Sequence, residues 1–302
     1  MPTRYGIEIR KQTVNTPNYC SFDFSEAIAV CSKPIEEIVV KEEKQKMKRL
    51  RIIILLLLGM MAGAGLKAAT NFQDESLNYV VSYKWGLIHK DAGEATLSLK
   101  NQGSNYVVTL TGKTKPWADK FYQVRDTLKG TIRKAGLRPL SYTRIAHEEG
   151  TYGHDEIKYS YNGDVVSGKA TSTWINKKGK RKDKEKEFTA NGPTYDMLSV
   201  FYFLRTIDYS ELTSGKTIEA TLFSGSKVEK LTIRCVGEEK LKLRNNTEQE
   251  AYHIKFNFTT EGKKKSSEDL DAWISTDPKH ITLQIVGSLP IGQVRCYYLP
   301  KS

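Results

Sequence analysis

The chain has 302 residues, and its 47 Lys and Arg exceed its 35 Asp and Glu to give a formal net charge of +12 at pH 7. Residues 70–302 are enough for one large β domain or two small domains. No second linker and no repeat of solenoid length divides them. We therefore predict a single domain over residues 70–302, and a repeat array is excluded.

The N-terminal part of the chain contains the layout of a secretory signal peptide, although at an internal methionine. Met47-Lys48-Arg49-Leu50-Arg51 is basic, residues 52–58 are apolar, and small residues follow up to Ala69. This order of basic, apolar and small segments is typical of an exported protein. We predict a signal peptide at residues 47–69, cleavage within residues 68–71, and export to the periplasm or outer envelope.

Residues 1–46 precede this signal and are polar, unlike any part of a normal signal peptide. Our hypothesis is that translation starts at Met47 and that residues 1–46 are a doubtful upstream extension. The alternative is a cytoplasmic segment on an uncleaved anchor. Because residues 52–66 are shorter than the ~20 apolar residues that cross a bilayer, we expect cleavage and no transmembrane helix afterwards. No cysteine lies in the cleavage zone, so a lipoprotein is not expected.

Alternation of apolar and polar residues with period two runs through most of the chain after residue 70. It begins in the segment that contains Tyr79, Val81, Tyr83 and Trp85. The pattern returns around residues 95–99, 106–110, 157–161 and 252–258. Turn signals with Gly or Asn separate these segments. The pattern predicts many short antiparallel strands joined by hairpins, in a barrel, a half-open barrel or a sandwich.

One segment has helical spacing instead. Gly192-Pro193-Thr194-Tyr195-Asp196 has a proline and an acid suited to a first helical turn, and apolar residues then recur up to Ile207. We predict a helix around residues 193–208 that packs one apolar face on the sheet, and a weaker helical turn at 116–122. Asp196 marks one helix end and Arg205 lies near the other. Arg205 is either a structural clamp, which we favour, or a cation that binds a ligand headgroup.

The sequence contains no constellation that we interpret as catalytic, metal-binding or cofactor-binding. His147 and His154 are seven residues apart, which does not suit two ligands on one helical face. No Gly-x-Ser-x-Gly motif and no glycine-rich phosphate loop is found. We therefore predict no catalytic residue, metal or cofactor. A hydrolase of unknown type remains the third functional hypothesis, after two non-enzymatic ones.

The aromatic residues are the candidates for ligand binding. Most of them are expected in the core, but some could line a cavity of the kind that barrel mouths hold. With Arg205 at the mouth, the ligand-binding candidates are Tyr83, Trp85, Trp174 and Trp273.

Two cysteines, Cys235 and Cys296, follow the predicted signal peptide. In an oxidising compartment such a pair can form a disulfide. Alternatively, both are small buried hydrophobic residues on alternating strands. Sequence alone cannot decide between the two, because a disulfide requires the Cα atoms to lie close together.

Much of the positive charge lies in the run at residues 177–186, and residues 263–265 add three lysines. Such runs are most often solvated hairpin tips, and otherwise they dock on acidic polymers or anionic lipid headgroups. An exported protein seldom meets nucleic acid, so we expect no nucleic-acid partner.

The chain resembles an exported bacterial family, the one catalogued as domain-of-unknown-function family 3108. The likeness is carried by DMLSVFYFLR at 196–205, AWISTD at 272–277 and GSLPIG at 287–292, and by residues 77–95 and 136–142. The resemblance implies an all-β fold, a partly open, half-barrel-like antiparallel β-barrel with one packed α-helix. It also implies a periplasmic or envelope location, but no activity and no catalytic residues.

Two functional hypotheses remain open. The first is a non-enzymatic envelope protein whose curved sheet carries an apolar or amphipathic, lipid-like ligand. The second is an envelope interaction or assembly protein that binds a protein or polysaccharide partner. A cavity lined by the candidate aromatic residues would favour the carrier, whereas a filled core with an exposed apolar patch would favour the interaction protein.

Overall fold

The computed structural model describes residues 71–212, 215–225, 227–262, 267, 269–288 and 292–300. The predicted upstream extension at 1–46, the signal peptide at 47–69 and the lysines at 263–265 lie outside these residues. None of the helices in the described part is long and apolar enough to span a bilayer.

The described strands form one sheet of fifteen strands. Their bounds are β1 Glu75–Trp85, β2 Ile88–Gln102, β3 Asn105–Thr114, β4 Val124–Arg133, β5 Arg138–Glu148, β6 Thr151–Asn162, β7 Val165–Ile175, β8 Arg181–Asn191, β9 Thr194–Tyr195, β10 Thr217–Ser224, β11 Lys227–Lys242, β12 Glu248–Thr260, β13 Leu270–Ser275, β14 Thr282–Ser288 and β15 Gln293–Leu299.

The order of the strands makes the sheet a nearly closed barrel with a single seam. The strands run from β8 down to β1, then β15 down to β9, so that the first strand pairs with the last. All neighbours are antiparallel except β9 and β10, which are parallel. The edges of the sheet are β8 and the two-residue β9. The predicted all-β, partly open antiparallel barrel is therefore confirmed.

Aromatic packing holds the seam together where hydrogen bonds do not. Phe223 of β10 stacks on Tyr159 of β6, with ring centroids 5.8 Å apart, and lies 5.3 Å from the ring of Phe188 on β8. Gly168 of β7 lies beneath this ring, where a Cβ atom would come within 2.7 Å of Phe223. The strands on the two sides of the seam thus meet through side chains.

The helical segments are short: α1 Pro116–Asp119, α2 Ser199–Leu204 and α3 Tyr209–Leu212, with a 3₁₀ turn at Ala135–Leu137. The predicted helix at 193–208 was therefore too long. Thr194 and Tyr195 instead pair with Thr221 and Leu222 of β10. This strand pairing overrides the helix-start signal of the preceding proline, and the helix begins only at Ser199.

The barrel interior is filled. All six residues of α2 are buried, and all except Ser199 belong to one apolar cluster with inward-facing residues of the strands, such as Leu99, Val108 and Phe256. A helix that is buried on every side has no polar face to present to solvent. A second, small apolar cluster forms elsewhere from Leu243, Ala251 and Leu283.

Candidate functional site

The candidate aromatic residues do not line a common cavity in the described part of the chain. Tyr83 faces the interior from β1 and packs against the main core. Trp174 lies on β7 and is 40% exposed. Trp273 lies on the face of β13 opposite to the buried Ala272. The side chain of Trp85 lies outside what the structure describes.

Trp273 belongs to a polar group on the outer face of the sheet. Its ring stacks on His253, with centroids 4.5 Å apart and planes inclined by 10°, and its indole N–H donates to Glu239. His253 Nε2 lies 2.7 Å from Asp271 Oδ1. The hydrogen bond to Glu239 occupies the one polar atom of the Trp273 side chain, and these contacts connect Trp273 to β12 and β11.

Asp196 starts α2 from a fully buried position. Its Oδ1 accepts hydrogen bonds from the backbone N–H groups of Leu198 and Ser199, at 2.8 and 2.9 Å. In return, Ser199 Oγ accepts from the backbone N–H of Asp196 at 2.8 Å, as in a capping box. Burial raises the pKa of Asp196 to about 6, although the hydrogen bonds from Ser199 and Leu198 oppose this shift.

Arg205 ends α2 and is nearly buried, with 5% of its side chain exposed. Its guanidinium pairs with both carboxylate oxygens of Glu75 on β1, and its Nε donates to the carbonyl of Lys279 at 2.8 Å. It also lies over the ring of Phe72, 4.7 Å from the centroid. The headgroup of a ligand would have to displace these contacts.

A buried cluster of charged residues lies on the inner face of β4, β5 and β6. Arg144 bonds Asp126 at 3.1 Å and Glu148, and it lies 3.5 Å from Asp155. The hydroxyl of Tyr122 donates to Glu148 at 2.6 Å. The cluster holds three carboxylates against a single guanidinium, so that one carboxyl is favoured in its neutral form.

Asp126 is the carboxyl with the perturbed pKa. Burial raises its pKa to about 6, Arg144 opposes the shift, and Glu148 adds to it. Sequence reasoning missed this cluster. A signal was present, since Asp126 lies between Val124 and Leu128 at an inward-facing position of the alternation. Because Asp126 is only 3% exposed, we interpret the cluster as structural.

Both cysteines of the described region are free. Cys296 is buried in the core, where burial raises the pKa of its thiol to about 12. Cys235 is half-buried beside a β-bulge, and burial raises the pKa of its thiol as well. Of the two alternatives from the sequence, the structure favours small buried residues over a disulfide. Among the described residues, no three His, Cys, Asp or Glu side chains converge as possible metal ligands.

Two large apolar side chains protrude at one end of the sheet, where β1 turns into β2 and β3 leads to β4. Leu87 in the first connection is fully exposed, and Phe121, just after α1, is 76% exposed. Exposed Trp174 lies on the β7–β8 hairpin, which turns at the same end. We call this end the cationic rim, and it comprises residues 84–92, 113–123, 149–150 and 174–182.

Direct contacts bind the first two connections of the cationic rim into one unit. The indole N–H of Trp117 donates to the carbonyl of Asp91 at 2.8 Å. The ammonium of Lys90 lies 4.4 Å from the centroid of the Trp117 ring. The backbone N–H of Lys115 donates to the carbonyl of Ala92 at 2.8 Å. Leu87 and Phe121 are therefore presented by connected segments.

Glu149, in the β5–β6 turn, connects this unit to the β7–β8 hairpin. Its Oε1 accepts from the backbone N–H of Gln123 at 2.7 Å, and its Oε2 pairs with Lys177 at 3.1 Å. The cationic rim is therefore continuous from α1 to the basic run at 177–186.

The acids of the cationic rim are already paired. Asp91 binds Arg244 through both oxygens, at 2.8 and 3.1 Å. Asp119 binds Arg125 at 2.7 Å, and the hydrogen bonds from Arg125 and Thr114 lower the pKa of Asp119. By contrast, several lysines of the rim form no ion pair with a carboxylate among the described residues: Lys84, Lys120, Lys178 and Lys180.

On the edge strand β8, basic and acidic side chains lie on opposite faces. Lys182, Lys184 and Lys186 alternate with acids, so the lysines share the face of the buried Phe188 and the acids Asp183, Glu185 and Glu187 share the other. On β7, Trp174 and Ser172 stand opposite Lys182 and Lys184 and carry no charge. Asp183 on the other face is paired with Arg181 at 2.8 Å. Lys182 and Lys184 therefore contribute positive charge at the open edge.

A shallow groove of about 460 Å³ lies near the seam. Its walls come from the end of β8 and from β10, β11 and β12, with Asn191, Pro193, Glu219, Thr221, Lys230 and Glu261 among the lining residues. The groove is lined by both polar and charged side chains, and of the candidate aromatic residues, Tyr83, Trp174 and Trp273 do not contribute to it.

Comparison with known proteins gives a family but no activity. The family model described as "Protein of unknown function (DUF3108)" matches residues 78–297, and a search of curated proteins finds no match. The crystal structure of a β-barrel-like protein of domain-of-unknown-function family DUF1849 from Brucella abortus is similar, with a TM-score of 0.50 and 9% identity. The match covers 75% of this chain and 96% of that chain. At this identity the similarity shows the fold alone.

A weaker similarity is found to the hypothetical lipoprotein YmcC from Escherichia coli. Its TM-score is 0.29 at 7% identity, and the match covers 75% of this chain and 85% of that chain.

Proposed function

The chain belongs to the DUF3108 family of proteins of unknown function, and we propose that it is an exported, non-enzymatic cell-envelope protein that binds an amphipathic, lipid-like partner on its outer surface. The signal-peptide layout at residues 47–69 supports export. We expected a filled core with an exposed apolar patch to favour an interaction protein over a carrier, and the described part of the protein has both. The proposal therefore adopts an interaction at the surface, but with a lipid-like partner in place of a protein or polysaccharide.

The observation that carries this proposal is the filled interior. Half-barrels that carry a lipid need an enclosed apolar cavity, but α2 occupies the inside of this barrel with all six of its residues buried. The guanidinium that could have held a headgroup, that of Arg205, is engaged by Glu75. Binding at the surface is therefore favoured over binding inside.

The cationic rim supports an amphipathic partner. It combines exposed Leu87 and Phe121 with lysines that have no carboxylate partner in the described part of the chain. An exposed apolar group with flanking cations is suited to a molecule that has both apolar chains and negative charge.

The proposal is tested by fractionating cells that express the protein and by native mass spectrometry of the product. We expect the protein in the membrane fraction, released by high salt, and a mass of the polypeptide alone after desalting. A single lipid retained one-to-one through desalting would support an interior carrier and contradict the proposal. If the protein binds no lipid in any form, the proposal is wrong and the interaction protein described next is favoured.

The second candidate is an envelope interaction protein that uses the open edge of β8. An unpaired edge can accept a further strand from a partner, and the charges of β8 would select a strand with acids opposite its lysines. A photo-crosslinker placed at Glu185 on β8 should then capture one defined partner. The same crosslinker at Lys158, on β6, should capture none, because β6 is paired on both sides.

A further inference from the structure

We propose that the cationic rim docks on the surface of an anionic phospholipid bilayer, with Leu87 and Phe121 entering the interface and the rim lysines lying at the headgroups. This inference rests on the proposed function, because it identifies the amphipathic partner as a bilayer and assigns the residues that contact it.

The first reason is the exposure of two large apolar side chains on the same unit. A solvated hairpin tip explains lysines, but it does not explain a fully exposed Leu87 and a Phe121 that is 76% exposed. The hydrogen bond from Trp117 to the Asp91 carbonyl and the one from Lys115 to the Ala92 carbonyl hold their two segments together. Exposed apolar groups that are held in place in this way mark an interaction site.

The second reason is charge complementarity. The nearby acids Asp91 and Asp119 are neutralised by Arg244 and Arg125. The lysines without a carboxylate partner therefore make the electrostatic potential of the rim positive. Juxtamembrane clusters of lysine are attracted to anionic lipid surfaces, and lysine can place its ammonium at the headgroups while its methylene chain follows the apolar residues inward.

The third reason is shape. Leu87 and Phe121 project from turns and do not line a concave pocket, so a single lipid molecule has no enclosed site around them. A protruding apolar side chain is instead buried when it enters a fluid interface. The chemistry of the rim thus favours a bilayer over a single bound lipid or a free phosphate.

The test measures co-sedimentation of the purified protein with vesicles of equal parts phosphatidylglycerol and phosphatidylcholine. We expect binding to these vesicles, weak binding to vesicles of phosphatidylcholine alone, and release at high salt. The double variant Leu87→Glu, Phe121→Glu should bind at least about tenfold more weakly, because burial of the two side chains is lost and two acids are added. Excess glycerol phosphate should not displace the wild-type protein.

Matched variants separate docking from general effects on charge or folding. Val236 is 54% exposed on β11 and is not a residue of the rim, and Val236→Glu should leave vesicle binding unchanged. Lys120→Glu should weaken binding several-fold, whereas Lys158→Glu on the face of β6 should have little effect. Circular dichroism of every variant should match that of wild type.

Several results would overturn the inference. Wild-type protein that ignores phosphatidylglycerol vesicles, or Val236→Glu that lowers binding as much as the rim variant, would do so. If the protein binds detergent-dispersed lipid but no vesicle, docking is wrong and the proposed surface binding survives. If it binds neither but captures a protein through β8, both the inference and the proposed function fail.

Discussion

Arg205 and Glu75 form a nearly buried ion pair that joins the end of α2 to the first strand of the sheet. The helix fills the barrel, and this pair fixes one of its ends while Asp196 caps the other. The pair also unites two parts of the chain that are 130 residues apart.

We expect Arg205→Ala to lower the free energy of unfolding by about 2 to 4 kcal/mol, because it leaves the Glu75 carboxylate without its partner. Urea denaturation measures the change. The control is Arg234→Ala, which removes a more exposed pair with Asp269 and should cost less than about 1 kcal/mol. Equal losses in the two variants would contradict the clamp role of Arg205.

The contribution of Asp126 and Asp196 to stability should fall as the pH rises from about 4 to about 7. Burial raises the pKa values of Asp126 and Asp196 to about 6, above the value of about 3.9 for an unfolded chain. The folded state therefore binds protons more tightly, and this contribution is complete below pH ~4 and lost above pH ~6. Urea midpoints at pH 5 and pH 8 test it. Asp196→Asn keeps a good capping residue and should reduce the loss of stability between pH 5 and pH 8 by about 1.4 kcal/mol.

Gly168→Ala should destabilise the seam. The added Cβ would lie 2.7 Å from the ring of Phe223, and relief of that overlap should cost about 1 to 3 kcal/mol. Gly153→Ala is the matched control, since its Cβ would meet only ordinary contacts, the nearest at 3.6 Å. A thermal midpoint for Gly168→Ala equal to that of Gly153→Ala would show that β7 and β10 are not packed as described.

The two thiols should differ in reactivity. Cys296 is buried and its pKa is raised to about 12, so N-ethylmaleimide should modify it only after unfolding. Cys235 is half-buried and should react first in the native protein. Peptide mapping by mass spectrometry distinguishes the two sites. Recovery of a disulfide-linked peptide that joins Cys235 to Cys296 under oxidising conditions would contradict the prediction that both thiols are free.

The lysines of β8 should keep the open edge from pairing with itself. Replacing Lys182 and Lys184 by Val gives the edge an apolar, strand-forming face, and we expect concentration-dependent association. Light scattering coupled to size-exclusion chromatography measures it. Lys129→Val is the control, because it lies on β4, which is paired on both sides. A variant that stays monomeric at high concentration would indicate that other features protect the edge.

Much of the fold could be predicted because strand alternation is a local property. Leu99, Val108 and Ile157 are buried where the alternation places them inside. The predicted start of the helix was wrong because Thr194 and Tyr195 form a strand that pairs with β10. That contact joins residues that are distant in sequence, so a local pattern does not reveal it. The helical spacing of the apolar residues after Asp196 gave the approximate position of the helix and its packing on the sheet, but not that every one of its residues is buried.

The candidate site was predicted less well. Arg205 was recognised from its place beside an apolar helix, and its partner Glu75 lies too far along the chain for a sequence pattern to identify. The rim residues Leu87 and Phe121 were missed, because exposure depends on what packs over a turn. The proposed export and the role of the basic run at 177–186 remain predictions.

The pairing of β1 with β15 has a consequence for how the protein is made. Asn78 pairs with Leu299, so almost the whole described sequence must be present before the barrel can close. Such long-range closure slows folding. Until the last strand arrives, β1 and β14 both expose strand edges that could pair with other chains. Because the last strand is synthesised last, the barrel cannot complete its folding early. A protein that crosses a membrane unfolded benefits from such a delay.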